Sequence, residues 1–238
     1  VREDDDGVVI SGMKMLATGA VFANEIWIGN LIPLAPDQLP ESITCAIAVN
    51  APGVTLWSRK PFELHAPNEF DNPLAFRFDE TDSMVMCENV KVPWERVFVH
   101  MDAILAREIY IKTPGHCYGN HQSNVRFHAK MQLIVGLASK IAQASGAHAI
   151  PAVREVLGRL CAQEATLGGM IAGQIQDAED WPAGWKTFNR RYMYAALNWC
   201  TESHSQIIDA LRELRGGGLL QMPADSTVTH DPQRREQS

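Results

Sequence analysis

The sequence has 238 residues, 46% of them hydrophobic and 21% charged, with a formal net charge of −7 and a pI of about 5.6. This is the balance of a globular protein with one large domain or two modest ones. There is no basic cluster to suggest a nucleic-acid partner, and the longest apolar runs, such as Leu133–Ala138, are too short to cross a bilayer.

The chain opens on the acidic stretch Arg2-Glu3-Asp4-Asp5-Asp6, which is not the pattern of a signal peptide. Asp6-Gly7 is a hairpin-turn dipeptide followed by the strand-like Val8-Val9-Ile10. So few residues precede the turn that the chain is expected to start inside a structural unit. Strands are predicted at Gly7–Ala17, Glu25–Ile32, Ile43–Val49, Val54–Ser58 and Ser83–Cys87. Each is rich in apolar or β-branched residues and bounded by Pro, Gly, Asn or Asp. Val90–Val99 reads as a last strand interrupted at Pro93, which must lie at an edge or a bend. This spacing predicts a small antiparallel barrel or sandwich over residues 1–102.

The period then changes. Phe127, Met131, Ile134, Leu137 or Ala138, and Ile141 recur at helical steps, and Gly146 follows as a C-cap. Pro151 opens a second helix carrying Val153, Val156, Leu160, Leu167, Met170 or Ile171, and Ile175, with Glu155 and Arg159 four apart. A third carries Phe188, Tyr192, Ala195, Trp199, Ile207, Leu211 and Leu214, and Gly216-Gly217-Gly218 stops it. The predicted class is α+β: a β-domain, a helical bundle over 103–222, and a polar tail over 223–238 expected to be disordered.

Five cysteines, an odd number with no C-x-x-C pair, argue against a disulfide framework and make a reducing cytoplasm the expectation. No dinucleotide fingerprint, phosphate loop, nucleophile elbow or H-E-x-x-H helix is present. His121 and His128 share a helical face seven residues apart, a spacing open to a metal but better read as packing. Residues 115–126 form a polar lead into the first apolar helix. Capping by Ser123 or Asn124 and an anion site at the helix start weigh about equally there. Lys14-Met15-Leu16-Ala17-Thr18-Gly19 is a strand ending in a small hydroxyl residue, a spot against which a flat ring fits, although a threonine near a strand end is common.

Longer words carry a resemblance. Lys14–Thr18, Asn24–Asn30, Pro33–Gln38, Phe70–Leu74, Asp79–Asp82, Val92–Phe98, Gly119–Arg126, Leu167–Met170, Arg190–Tyr194 and Gly216–Pro223 together resemble the 4-hydroxyphenylacetate 3-monooxygenase family, large oxygenase component. The resemblance implies an acyl-CoA dehydrogenase-like fold of helical domain, β-domain and four-helix bundle, commonly a homotetramer. The first helical domain and the last helices have no counterpart in this sequence. It places Thr18 beside a flavin ring with Ala17 and Gly19 next to it, and Leu34–Glu41 along the substrate pocket. Gln122, Asn124 and Arg126 fall where bundle and FAD meet across subunits. A partner flavin reductase using NAD(P)H would supply reduced FAD, and O2 would form a C4a-hydroperoxide. That species would hydroxylate a phenol ortho to its hydroxyl, by default 4-hydroxyphenylacetate to 3,4-dihydroxyphenylacetate. A hydrogen bond near Thr18 would slow loss of peroxide. The groups gripping the phenol lie outside this sequence, which leaves open an inactive fragment with only an assembly role. A second resemblance, to 4-hydroxybutyryl-CoA dehydratase with its iron–sulfur cluster, needs a cysteine where His128 stands.

Overall fold

The computed structural model describes residues 2–223 and 225–231, in two units: residues 2–109 with 223 and 225–231, and residues 110–222. In the first unit, β1 (Arg2–Asp4), β2 (Gly7–Lys14), β5 (Val54–Ser58) and β6 (Ser83–Pro93) form an antiparallel sheet in the order β1-β2-β6-β5. β3 (Glu25–Ile28), β4 (Ile43–Ala48) and β7 (Val97–His100) form a second sheet in the order β3-β4-β7. Alternation drives the packing, because every second residue of a strand faces the same side. Val8 and Ile10 of β2, Val85, Val90 and Val92 of β6, Ile26 and Ile28 of β3, and Ile43, Cys45 and Ile47 of β4 make one buried cluster. The predicted α+β class holds. Its β part is a sandwich, with no closed barrel among the described residues.

The Asp6-Gly7 turn joins β1 to β2, which pair from Arg2↔Val9 to Asp4↔Gly7. Two expectations change. The predicted strand Ser83–Cys87 continues to Pro93 through a bulge. Ile10 pairs with Val90 and Gly12 with Cys87, so Glu88 and Asn89 oppose Ser11 alone. Asn89 takes φ 53, and its amide donates to the Ser11 hydroxyl at 2.9 Å. Two exposed polar residues at a bulge break the alternation that a sequence reading follows. Finally, Val90–Val99 is two strands, divided by a turn at Trp94–Arg96 that carries the chain from one sheet to the other.

The helix α1 (Ala103–Lys112) was not predicted. In the second unit, α2 (Gly115–Ala144), α3 (Pro151–Gln176) and α4 (Arg190–Arg215) pack around Met131, Ile134, Ala138, Leu160, Leu167, Ala196, Cys200, Ile207 and Leu211. Gly146, just past α2, has φ 72 and donates to Gln143 O, the expected left-handed ending. The strands β8 (Glu179–Trp181) and β9 (Trp185–Thr187) form a small ribbon before α4. Asn189 caps α4 by accepting from the Tyr192 amide. The inward stripe of α4 begins one residue later than predicted, at Met193, Ala196 and Cys200. The small Ala196 and Cys200 let the helices approach, while Tyr192 lies against Gly173 with its ring partly exposed. After α4 comes the short α5 (Gly218–Gln221).

Of the predicted tail, residues 225–231 carry α6 (Thr227–His230), and the Ser226 hydroxyl donates to Asp71 in the first unit. Residues 224 and 232–238 lie outside the described residues. Cys45, Cys87, Cys117 and Cys200 are buried thiols and Cys161 is exposed. Burial pushes the Cys45 thiol up to about 12 and the Cys200 thiol up to about 11. The folded chain at pH 8 is therefore expected to release one equivalent of a chromogenic disulfide reagent quickly, from Cys161, and five after denaturation. Two or more fast equivalents in the native chain would contradict this burial.

Candidate functional site

Beyond Lys14 the chain leaves the sheet as Met15-Leu16-Ala17-Thr18-Gly19 but stays tied to the approach to β6. The Ala17 amide donates to Ser83 O at 3.0 Å and the Gly19 amide to Thr81 O at 2.8 Å. Between these two bonds the Thr18 hydroxyl donates to Asp82 Oδ1 at 2.5 Å. The Asp82 carbonyl accepts from the Arg59 amide at 3.0 Å, so Asp82 is fixed from the β5 side too. Gly19 takes φ 74, a left-handed conformation that turns the chain into the short helical turn Ala20–Phe22. Residues 59–82 are an excursion between β5 and β6. Its base is closed by the Arg59–Asp79 ion pair, with the Arg59 guanidinium 3.9 Å over the Phe62 ring.

Thr18 is exposed, and large apolar side chains surround it in sequence and also face solvent: Leu16 is 73% exposed and Phe22 83%. Exposed apolar side chains around a pinned polar point suit a flat heteroaromatic ring, which needs apolar contact and a few placed hydrogen bonds. With the amides of Ala17 and Gly19 spent, the groups left for such a ring are the Thr18 amide and the lone pairs of its hydroxyl oxygen. In the same unit, the loop Leu34–Glu41 contains a short helical turn, Pro36–Glu41. The Ala35 amide donates to the Gln38 side chain at 2.9 Å, and Gln38 donates on to Glu41 at 3.1 Å. Glu41 and Lys14 both line a cleft of about 350 Å³ with Met13, Asn30 and Cys87.

The second unit holds the other predicted contacts. α2 begins at Gly115, so Ser123 and Asn124 lie inside it and do not cap its start. The start signal was Thr113-Pro114, with the Thr113 hydroxyl accepting from the Gly115 amide at 3.4 Å. Asn124 is wholly buried and ties α2 to α4 by donating to Met193 O at 3.1 Å. Gln122 and Arg126 are exposed one turn apart. Arg126 lines a groove of about 440 Å³ between α2 and α4 with Lys130, Thr201 and His204.

The histidines have protein partners. His121 shares a 2.8 Å hydrogen bond with Gln174 and stacks on Phe188 at 3.6 Å, and His128 bonds Glu164 at 2.7 Å. Among the described residues no three His, Cys, Asp or Glu side chains are grouped to hold a metal. At the start of α4, the Arg190 amide and then, against a burial cost, the Arg190 guanidinium hold the Glu179 carboxyl below the usual carboxylate range.

The 4-hydroxyphenylacetate 3-hydroxylase N terminal model matches residues 1–99, and the C terminal model of the same enzyme matches residues 106–237. The chain belongs to the 4-hydroxyphenylacetate 3-hydroxylase family. Pyoverdin chromophore biosynthetic protein PvcC of Pseudomonas aeruginosa is 30% identical over 98% of this chain and 47% of its own length. The 4-hydroxyphenylacetate 3-monooxygenase oxygenase component of a Geobacillus species is 26% identical over 97% of this chain and 47% of its own. The chain thus spans about half the length of these curated relatives.

Solved structures show the same fold. The oxygenase component HpaB of 4-hydroxyphenylacetate 3-monooxygenase, complexed with FAD and 4-hydroxyphenylacetate, superposes with TM-score 0.88 at 24% identity, over 99% of this chain and 49% of that one. An archaeal 4-hydroxybutyryl-CoA dehydratase from N. maritimus gives 0.86 at 19% identity, over 100% and 47%. An acyl-CoA dehydrogenase from Geobacillus kaustophilus gives 0.62 at 13%, over 90% and 53%. The dehydratase reading is the weaker one, because its likeness at 19% identity shows the fold alone, while both family models match the hydroxylase.

The reading of the sequence singled out Thr18 but missed Asp82 as its partner. The signal was available in the topology. β2 and β6 run antiparallel, so residues just past the end of β2 face residues just before the start of β6.

Proposed function

We propose that this chain is the flavin-bearing part of the oxygenase component of a two-component aromatic monooxygenase, which hydroxylates a phenol ortho to its hydroxyl. Family membership supports the reading, and the observation that carries it is the exposed, doubly tied Thr18 turn with its solvent-facing Leu16 and Phe22. Reduced FAD, when bound, would supply the two electrons that activate dioxygen, one of whose oxygen atoms enters the phenol while the other leaves as water. The chain's own task is to bind, orient and keep water out. Thr18, with Ala17 and Gly19, holds the ring edge through the hydroxyl oxygen and the open amide. Gln122 and Arg126, on an exposed face of α2, are proposed to serve the polar portion of a cofactor held by another subunit, and Asn124 holds that helix from inside. Leu34–Glu41 borders the phenol.

The default substrate is 4-hydroxyphenylacetate, and the partner is a flavin reductase releasing reduced FAD. We place the enzyme in the cytoplasm as a homotetramer. The number of large apolar side chains left at the surface, Ile32 at 79% exposure among them, supports assembly. No helix among the described residues is long and apolar enough to cross a membrane.

The test is anaerobic titration of the protein as its gene encodes it with reduced FAD, then mixing with oxygenated phenol. Saturable binding followed by a catechol in near-stoichiometric yield is expected. Failure to bind reduced FAD at millimolar concentration overturns the reading.

A further inference from the structure

Thr18 has one hydroxyl proton, and the structure shows where it goes. The acceptor is the Asp82 carboxylate, 2.5 Å away, the length of a charge-assisted O–H···O bond. A carboxylate has no proton to return, so the direction of this bond is fixed. Nor can the two residues drift apart easily. The amides of Ala17 and Gly19 bind the carbonyls of Ser83 and Thr81 on either side, and the Arg59 amide binds the Asp82 carbonyl. These ties use main-chain atoms only and leave the Asp82 side chain no part in closing the loop. Asp82 therefore decides the hydrogen-bonding character of Thr18. Toward solvent, Thr18 Oγ1 offers lone pairs and no proton.

We propose that Asp82 is a positioning residue that makes Thr18 a hydrogen-bond acceptor, so that the site prefers reduced over oxidised flavin. The inference rests on the flavin reading above. With the N5 edge of the ring taken to lie at Thr18 as part of this proposal, the two redox states differ at that nitrogen. Reduced flavin carries a hydrogen there and donates, whereas oxidised flavin presents a lone pair and accepts. An acceptor-only Thr18 Oγ1 matches the first and opposes the second with two facing lone pairs. A free threonine hydroxyl would rotate and serve both. The carboxylate removes that freedom, and the oxygenase then takes up the form its reductase supplies and lets the spent form go.

The test measures the dissociation constants of oxidised FAD in air and reduced FAD under anaerobic conditions, using the protein as encoded. The variants are Asp82→Ala, Thr18→Val and the double variant, with thermal melts to confirm folding. The ratio of oxidised to reduced dissociation constant is expected to fall about fivefold in Asp82→Ala, the worth of roughly one hydrogen bond. Most of that fall should come from tighter oxidised FAD. Thr18→Val should lower the same ratio by weakening reduced FAD, and Asp82→Ala should add nothing in the Thr18→Val background. An unchanged ratio in Asp82→Ala, or the same fall with and without Thr18, overturns the proposal. If Asp82→Ala does not fold, Thr18→Val decides alone, because a larger loss for oxidised than for reduced FAD would show Thr18 to be a donor. Failure of the unaltered protein to bind either form strikes the flavin reading instead.

Discussion

Gly53→Ala is expected to destabilise the β-sandwich unit by roughly 2–5 kcal/mol, combining backbone strain with overpacking. Ala51-Pro52-Gly53-Val54 is a tight turn closed by the Val54 amide on Ala51 O at 3.0 Å. Proline at its second position and glycine at its third, with φ +85, are the signature of a type II turn. The turn is also pressed against the bulge of β6, because the Glu88 amide donates to Gly53 O at 2.8 Å. A Cβ on Gly53 would lie 2.2 Å from Glu88 O, which is backbone and cannot swing aside. Gly19 is the control. It too has positive φ, +74, but a Cβ there would meet nothing within 4 Å. Gly19→Ala should therefore cost only the left-handed penalty, about 1–2 kcal/mol. Thermal or urea melts of the two variants should differ clearly, with the Gly53→Ala midpoint roughly 10 °C or more below the parent. Equal shifts would mean that the Glu88 contact yields and that conformation alone sets the cost.

The turns and strands around Gly53 were legible in the sequence because each signal is local. A Pro-Gly pair, a β-branched run and a period of two all lie within a few residues of one another. The three long helices were legible for the same reason, down to Pro151 opening α3 and Gly146 ending α2, whereas α1 and the start of α2 at Gly115 were not. What failed to show depended on contacts distant in sequence. The Glu88-Asn89 bulge reads locally as the end of a strand, and only pairing with β2 makes it a defect inside one. The first half of the inward face of α4 was misjudged by one residue, because large aromatics look like core until helix spacing selects Met193, Ala196 and Cys200, while Ile207 and Leu211 are buried as expected. The candidate site divides in the same way. Thr18 stood out through the word that carries it. Asp82, which settles what that hydroxyl does, lies 64 residues away and becomes visible only when the two chain segments are tied together. Asn124, expected to face a cofactor, is drawn into the bundle by a carbonyl of α4.

That bundle is where the largest loss from a single truncated side chain is expected. Leu167 is wholly buried, and Leu160 and Gln174 lie one heptad to either side on the same face of α3. Leu167→Ala should cost about 2–5 kcal/mol, because the lost transfer free energy is joined by a cavity that rigid neighbours do not fill. Alanine's better helix propensity returns only a few tenths of that. Gln174 makes the instructive contrast. Its carbonyl oxygen accepts from His121 at 2.8 Å, while its buried Nε2 has no hydrogen-bond partner among the described residues. Gln174→Leu would remove an unpaired buried donor but also strip His121 of its partner, so the two effects oppose each other and the net change should stay within about 1–2 kcal/mol. Chemical denaturation followed by helical circular dichroism measures both. A Leu167→Ala loss no larger than that of Gln174→Leu would mean that the bundle interior relaxes around the deletion. Helices with that much slack would not hold Gln122 and Arg126 at fixed positions on α2, and the proposed cofactor contacts there would lose their rigid support.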